Sequence, residues 1–168
     1  MLSIGDARSL AAVNEPTPLR QRLNADVVVV GLGPAGSAAA IELRRAGRSV
    51  VAIDKAVFPR DKCCGDGLTT LGLRELEHLG LDPGTIPDWF DVGGAAIRSP
   101  SGREVFVPLP STGSYAAVAP RLQLDDALVQ LARALDTDIR DGHGFERIDE
   151  HDEYVTVFAD GLAIDARY

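Results

Sequence analysis

Asp26-Val27-Val28-Val29-Val30 runs directly into Gly31-Leu32-Gly33-Pro34-Ala35-Gly36, and no other stretch narrows the fold so far. Four consecutive β-branched residues suit a buried strand. Small residues and good helix formers follow from Ser37 to Ala46, and Gly47 supplies a stop signal. Ser49 to Ile53 then reads as a second buried strand, closing at Asp54. Strand, helix and strand fit within about thirty residues, which predicts a βαβ unit with parallel strands.

The three glycines have separate tasks in such a unit. Gly31 allows the tight turn, Gly33 lets a pyrophosphate approach the backbone, and Gly36 lets helix and strand pack closely. A helix starting near Pro34 offers unpaired N–H groups and a partial positive charge to phosphates. Asp54 lies 21 positions beyond Gly33, where a carboxylate can accept hydrogen bonds from ribose hydroxyls and repel a 2′-phosphate. The unit points to a dinucleotide but does not separate FAD from NAD.

Composition removes other classes. A net charge of −8 and a pI near 4.8 argue against a nucleic-acid partner, because phosphate backbones are held by clustered Lys and Arg. The two cysteines are neighbours, so neither a disulfide framework nor a cysteine zinc site can be built from them. The longest apolar run, Ala25 to Leu32, is broken by Asp26 and Gly31 and cannot span a bilayer. Residues 1–24 read as a leader without a signal-peptide core, so a cytoplasmic protein is expected, with peripheral membrane contact left open. His78, His143 and His151 have no partners at metal-ligand spacing and read as solvated; no metal is expected.

Farther along, leucines at 73, 76 and 79 predict a helix over 68–79, ended by Gly80. Ala95 to Ser99 and Glu104 to Val107 flank Ser101-Gly102 and predict a hairpin. Leu124, Leu128, Leu131 and Leu135 predict an amphipathic helix over 122–135. The tail alternates through Tyr154 to Phe158, turns at Asp160-Gly161 and resumes from Leu162 to Tyr168, an antiparallel ribbon that stops mid-strand. Asp149 to Glu153 reads as a solvated hairpin tip. Trp89 and Phe90 read as core anchors, with an apolar-substrate contact as the alternative.

Phe58 to Thr69, FPRDKCCGDGLT, suits no regular helix or strand. Gly65 and Gly67 would let backbone come close to a flat ring, and Arg60 or Lys62 could offset phosphate charge. Asp66 is a candidate cap for the following helix. Cys64, near Lys62 at a helix start, could have its thiolate favoured; the competing reading is an inert packing residue. A vicinal disulfide with Cys63 would be strained.

Asp26 to Lys55 followed by this loop resembles the geranylgeranyl reductase family of FAD-dependent oxidoreductases, within the flavoproteins built like p-hydroxybenzoate hydroxylase. The PRxKxCGDG form carries most of the resemblance, and APRLQLDDALVQLA, Ala119 to Ala132, extends it. It covers 26–168, the N-terminal portion only, and implies a truncated, Rossmann-like α/β FAD-binding domain over 25–168. By resemblance, 88–118 would begin a substrate domain. Gly31, Gly33, Pro34, Ala35 and Gly36 would hold the FAD pyrophosphate, with Asp54 and Lys55 at the adenosine ribose. Arg60, Cys64, Gly65, Asp66 and Gly67 would pass beside the flavin, Arg121 would contact the cofactor, and Cys64 is the weak catalytic candidate. The implied activity is reduction of prenyl double bonds in a small apolar or isoprenoid substrate, with NAD(P)H as a possible electron donor. A flavin monooxygenase or halogenase is the first alternative. The second is an incomplete fragment that binds nucleotide weakly or needs a second chain.

Overall fold

The computed structural model describes residues 18–64, 66–110 and 112–168. Strands β1 (Gln21–Ala25) and β2 (Val27–Val30) lead into helix α1 (Pro34–Arg45) and strand β3 (Val50–Asp54). After the loop come β4 (Gly67–Thr69), α2 (Thr70–His78), β5 (Phe90–Asp91), the hairpin β6 (Gly94–Arg98) and β7 (Glu104–Pro108), and β8 (Ala116–Val118). Helix α3 (Arg121–Ala134) and strands β9 (Asp138–Asp141), β10 (Phe145–Glu150), β11 (Val155–Ala159) and β12 (Leu162–Ala166) complete the order.

β3 organises the layers. It pairs in parallel with β2 on one side and β9 on the other, in the order β2-β3-β9. All five of its residues are buried, which accounts for a continuous rather than alternating apolar run. Val50 and Ala52 pack among α1 and α3 residues such as Ile41, Leu128 and Val129. Val51 and Ile53 face the other way, against Val157, Ala159 and Ile164. One strand thus joins a helical layer to a second sheet, ordered β1-β12-β11-β10.

Basic residues finish the helices of their neighbours. Arg45 Nη1 and Nη2 donate to the carbonyls of His78 and Leu79 at 3.0 and 2.8 Å, at the end of α2. Arg44 Nε donates to the Leu135 carbonyl at 2.8 Å, at the end of α3. Cations at helix C-termini satisfy open carbonyls and oppose the dipole, so α1 is tied to both other helices by its last turn.

The parallel βαβ unit, the β6–β7 hairpin and the Asp160-Gly161 turn match the sequence reading. Asp160 and Gly161 both take positive φ, 38° and 86°, as a two-residue hairpin turn requires. Elsewhere the structure differs. Of the expected leader, residues 1–17 lie outside the described residues, but Gln21 to Asn24 belong to β1, which pairs in parallel with β12. The tail ribbon is therefore part of a four-stranded mixed sheet. The helix expected from Leu68 starts two residues later, because Leu68 and Thr69 join β4 and pair with β8. Trp89 packs partly buried against the core, whereas Phe90 is exposed. Beyond β12, Val28 N donates to the Tyr168 carbonyl at 2.8 Å and Tyr168 N donates to the Asp26 carbonyl at 3.2 Å. That reciprocal pattern is a parallel pairing on the outer side of β2.

Asp165 links β12 to β1 and β11: Arg22 binds both of its oxygens at 2.7 and 2.8 Å, and Thr156 Oγ1 donates to it at 2.7 Å. The Arg22 hydrogen bond holds its carboxyl below the usual carboxylate range; burial opposes this and Thr156 adds to it. A lowered folded-state pKa stabilises the fold above the unfolded value of about 3.9, and the contribution disappears as pH falls through the folded value. Asp165→Asn should therefore lower the melting temperature at pH 7, and the gap to the parent should close in acid. Thermal melts from pH 7 down to pH 3 measure this.

Candidate functional site

The glycine turn is shaped from both sides. Gly31 has φ of 94°, and its N–H donates to the Ile53 carbonyl at 2.8 Å, clasping the turn to β3. A Cβ on Gly36 would lie 1.8 Å from the Gly31 carbonyl oxygen, so α1 can approach β2 only with glycine there. A Cβ on Gly33 would meet nothing nearer than the tips of Arg60 and Arg121, each at 3.7 Å. Gly36 is therefore needed by the fold, whereas Gly33 lies directly beneath two guanidinium groups and could carry a Cβ without a clash.

Asp54, at the end of β3, is buried. Its Oδ2 accepts from Leu32 N at 2.8 Å and its Oδ1 from Ala56 N at 2.9 Å. The carboxylate thus braces the glycine turn, and each oxygen retains one further acceptor position for a ribose hydroxyl. Beside it opens a cavity of about 560 Å³ lined by Gly31, Asp54, Lys55, Arg60, His143 and Phe145, among others. That size suits a small-molecule moiety. His143, read as solvated from sequence, is half-buried on the wall of this cavity, with its Nδ1 buried and unbonded among the described residues. Its backbone N–H donates to the Asp54 carbonyl at 2.8 Å, which brings the segment after β9 to the end of β3.

The loop expected beside the cofactor folds across the start of α3. Asp66, with φ of 51°, accepts from Ala119 N through its carbonyl at 3.0 Å and from Arg121 N through Oδ1 at 3.4 Å. It does not cap α2, as sequence suggested; Thr69 does, accepting from Gly72 N at 3.4 Å. The capping role falls to Thr69 because β4 delays the helix start. Lys62, Cys63 and Cys64 are exposed, Gly67 lies in β4, and Gly65 is outside the described residues.

Arg60 and Arg121 converge through a residue that sequence reasoning missed. Asp125, on α3, is completely buried. Arg121 binds it bidentately, Nε to Oδ1 and Nη2 to Oδ2, both at 2.7 Å. Arg60 Nη1 lies 2.9 Å from Asp125 Oδ2 without an aligned hydrogen bond, and its guanidinium sits 5.1 Å over the Phe58 ring. The hydrogen bond to Asp125 raises the Arg121 pKa above its ordinary value; burial opposes this and Cys64 adds to it. The i,i+4 spacing of Asp125 from Arg121 is the one sequence signal of the pairing.

Two guanidinium groups and the N-terminus of α1 therefore meet at one glycine, next to a cavity with a buried carboxylate. This arrangement suits a diphosphate flanked by a nucleoside. The family model for the FAD binding domain matches residues 24–168. The chain belongs to the FAD binding domain family.

FAD is the cofactor of this domain family. Among curated proteins, the chain is 50% identical over 110 residues to a menaquinone reductase of Mycobacterium tuberculosis (strain ATCC 25618 / H37Rv), covering 65% of this chain and 27% of that protein. It is 41% identical over 86 residues to digeranylgeranylglycerophospholipid reductase 2 of Methanopyrus kandleri, covering 49% of this chain and 20% of the relative. Among solved structures, a geranylgeranyl bacteriochlorophyll reductase-like protein from Thermoplasma acidophilum superposes with a TM-score of 0.72 at 25% identity, covering 87% of this chain and 38% of that one. The chain thus spans about a quarter of the length of the curated relatives it matches. Among the described residues no helix is long and apolar enough to cross a membrane, and no group of His, Cys, Asp and Glu is placed to hold a metal ion.

Gly36→Ala should destabilise the whole domain, because its Cβ meets backbone. Gly33→Ala should leave the melting temperature close to the parent's while weakening nucleotide binding. Thermal melts combined with FAD titration separate the two; equal loss of stability in both variants would contradict the division of roles.

Proposed function

We propose that this chain is the FAD-binding portion of a flavin-dependent reductase that saturates double bonds of an isoprenoid lipid. The single observation that carries the cofactor half of this reading is the convergence of Arg60 and Arg121 above Gly33. The substrate half rests on the relatives: a menaquinone reductase and a digeranylgeranylglycerophospholipid reductase are both named for substrates with isoprenoid chains.

Gly31, Gly33, Pro34, Ala35 and Gly36 would hold the diphosphate, with the N–H groups of α1 and the two arginines balancing its charge. Asp54 would take a ribose hydroxyl, and the cavity next to Lys55 would receive the adenosine. Cys64, Gly65, Asp66 and Gly67 would line the approach to the flavin ring. When bound, FAD supplies two-electron transfer to the substrate, with NAD(P)H as the proposed donor. The chain's own residues bind and orient it, and the Asp66 contacts fix the loop against α3. Residues 88–118, with Ile97, Val105 and Phe106 exposed on the β6–β7 hairpin, would begin the part that meets an apolar substrate or a membrane surface.

A monooxygenase or halogenase reading draws on other likenesses. The flavin-dependent brominase Bmp2 superposes with a TM-score of 0.69 at 29% identity, covering 36% of that chain. Two experiments test these readings. The purified chain should retain added FAD through gel filtration, seen as flavin absorbance; protein that stays colourless would sink the cofactor assignment for this chain and leave the reading of a fragment completed by a second chain. For the flavin-loaded protein supplied with NAD(P)H, menaquinone should become partly saturated without oxygen. Oxygen consumption or halide incorporation in its place would favour the alternative.

A further inference from the structure

We propose that Asp125 is a positioning residue that locks Arg60 and Arg121 into a single two-pronged clamp for a diphosphate above Gly33. The proposal deepens the FAD reading and rests on it for the identity of the ligand.

The charges do not balance on their own. Asp125 is completely buried and has one negative charge, which the bidentate Arg121 contact alone would neutralise. Arg60 nonetheless comes within 2.9 Å of the same Oδ2, from a different loop and without an aligned hydrogen bond. One carboxylate therefore holds two guanidinium groups against their mutual repulsion and leaves a surplus positive charge. That surplus has a direction: Nη2 of each arginine lies 3.7 Å from the point where a Gly33 side chain would begin. The N-terminus of α1 adds partial positive charge at the same place, with no acidic residue in its first turn to offset it.

A structural ion pair would need only Arg121, which lies one helical turn from Asp125. A second arginine brought to the same oxygen, so that both guanidinium tips stand over Gly33, fits an anion with two phosphoryl groups. The Phe58 ring under Arg60 restricts that guanidinium to the orientation the clamp needs. Asp125 sets the geometry through the arginines and touches no ligand itself.

The test follows the Nε–Hε signals of Arg60 and Arg121 by NMR in the 168-residue chain, assigned from Arg60→Lys and Arg121→Lys, with inorganic pyrophosphate and then FAD as probes. Pyrophosphate should shift both signals together, with one dissociation constant that weakens as salt rises. Asp125→Asn keeps the shape and removes the charge. It should displace both arginine signals and weaken pyrophosphate and FAD binding by about tenfold or more, the loss expected for one charge-assisted hydrogen bond. If Asp125→Asn does not fold, the parent titration decides: a shift confined to one arginine, or no shift, overturns the clamp. FAD binding that survives Asp125→Asn unchanged also overturns it and leaves the cofactor reading intact. Pyrophosphate moving both signals in a chain that takes up no FAD upholds the clamp and removes the cofactor reading.

Discussion

The contact between Gly36 and the Gly31 carbonyl oxygen governs the rest of the site. Helix α1 lies against the glycine turn at a distance that any side chain on Gly36 would forbid. Because α1 is pressed there, its N-terminus begins directly after Gly33. Asp54 holds the same turn from the opposite side, through Leu32 N. The turn is therefore gripped by a helix and a strand before any ligand arrives, and a rigid turn binds a diphosphate without the entropy cost of ordering a mobile one.

Charge is added to this frame from outside the βαβ unit. Arg60 comes from the loop after β3 and Arg121 from α3, and Asp66 joins that loop to the start of α3. The chemistry that distinguishes this glycine turn from a plain one is thus assembled by tertiary packing. It also explains how a chain of net negative charge can present a positive site: two arginines from different segments are brought to one turn around a single carboxylate.

The features visible in the sequence are those written in local periodicity. A strand at the centre of the sheet needs only an apolar, β-branched-rich run, and β2 and β3 each have one, although only β3 is buried throughout. Helix α3 shows its leucine stripe, and Asp160-Gly161 shows its turn. What escaped depends on partners far away in the chain. β1 has the polar sequence QRLNA and becomes a strand because β12, about 140 residues later, provides a parallel edge. β9, Asp-Ile-Arg-Asp, is charged at three of four positions and is held by the edge of β3. Asp125 is buried where Arg60 lands beside it, and no local pattern records that. His143 was misjudged for the same reason, since its surroundings come from the end of β3.

The short parallel pairing of Tyr168 on the outer side of β2 changes what kind of position β2 occupies. With β3 on one flank and Tyr168 on the other, β2 is an interior strand of the parallel array rather than its margin. The chain leaves β2 through α1 toward β3 and comes back along the opposite flank only after β12. Connections that depart to opposite sides leave a gap above the carboxyl end of the strand between them, the switch point where doubly wound sheets take up ligands. The glycine turn stands in that crevice, so the location of the site follows from the order in which the strands are laid down as much as from the residues that line it.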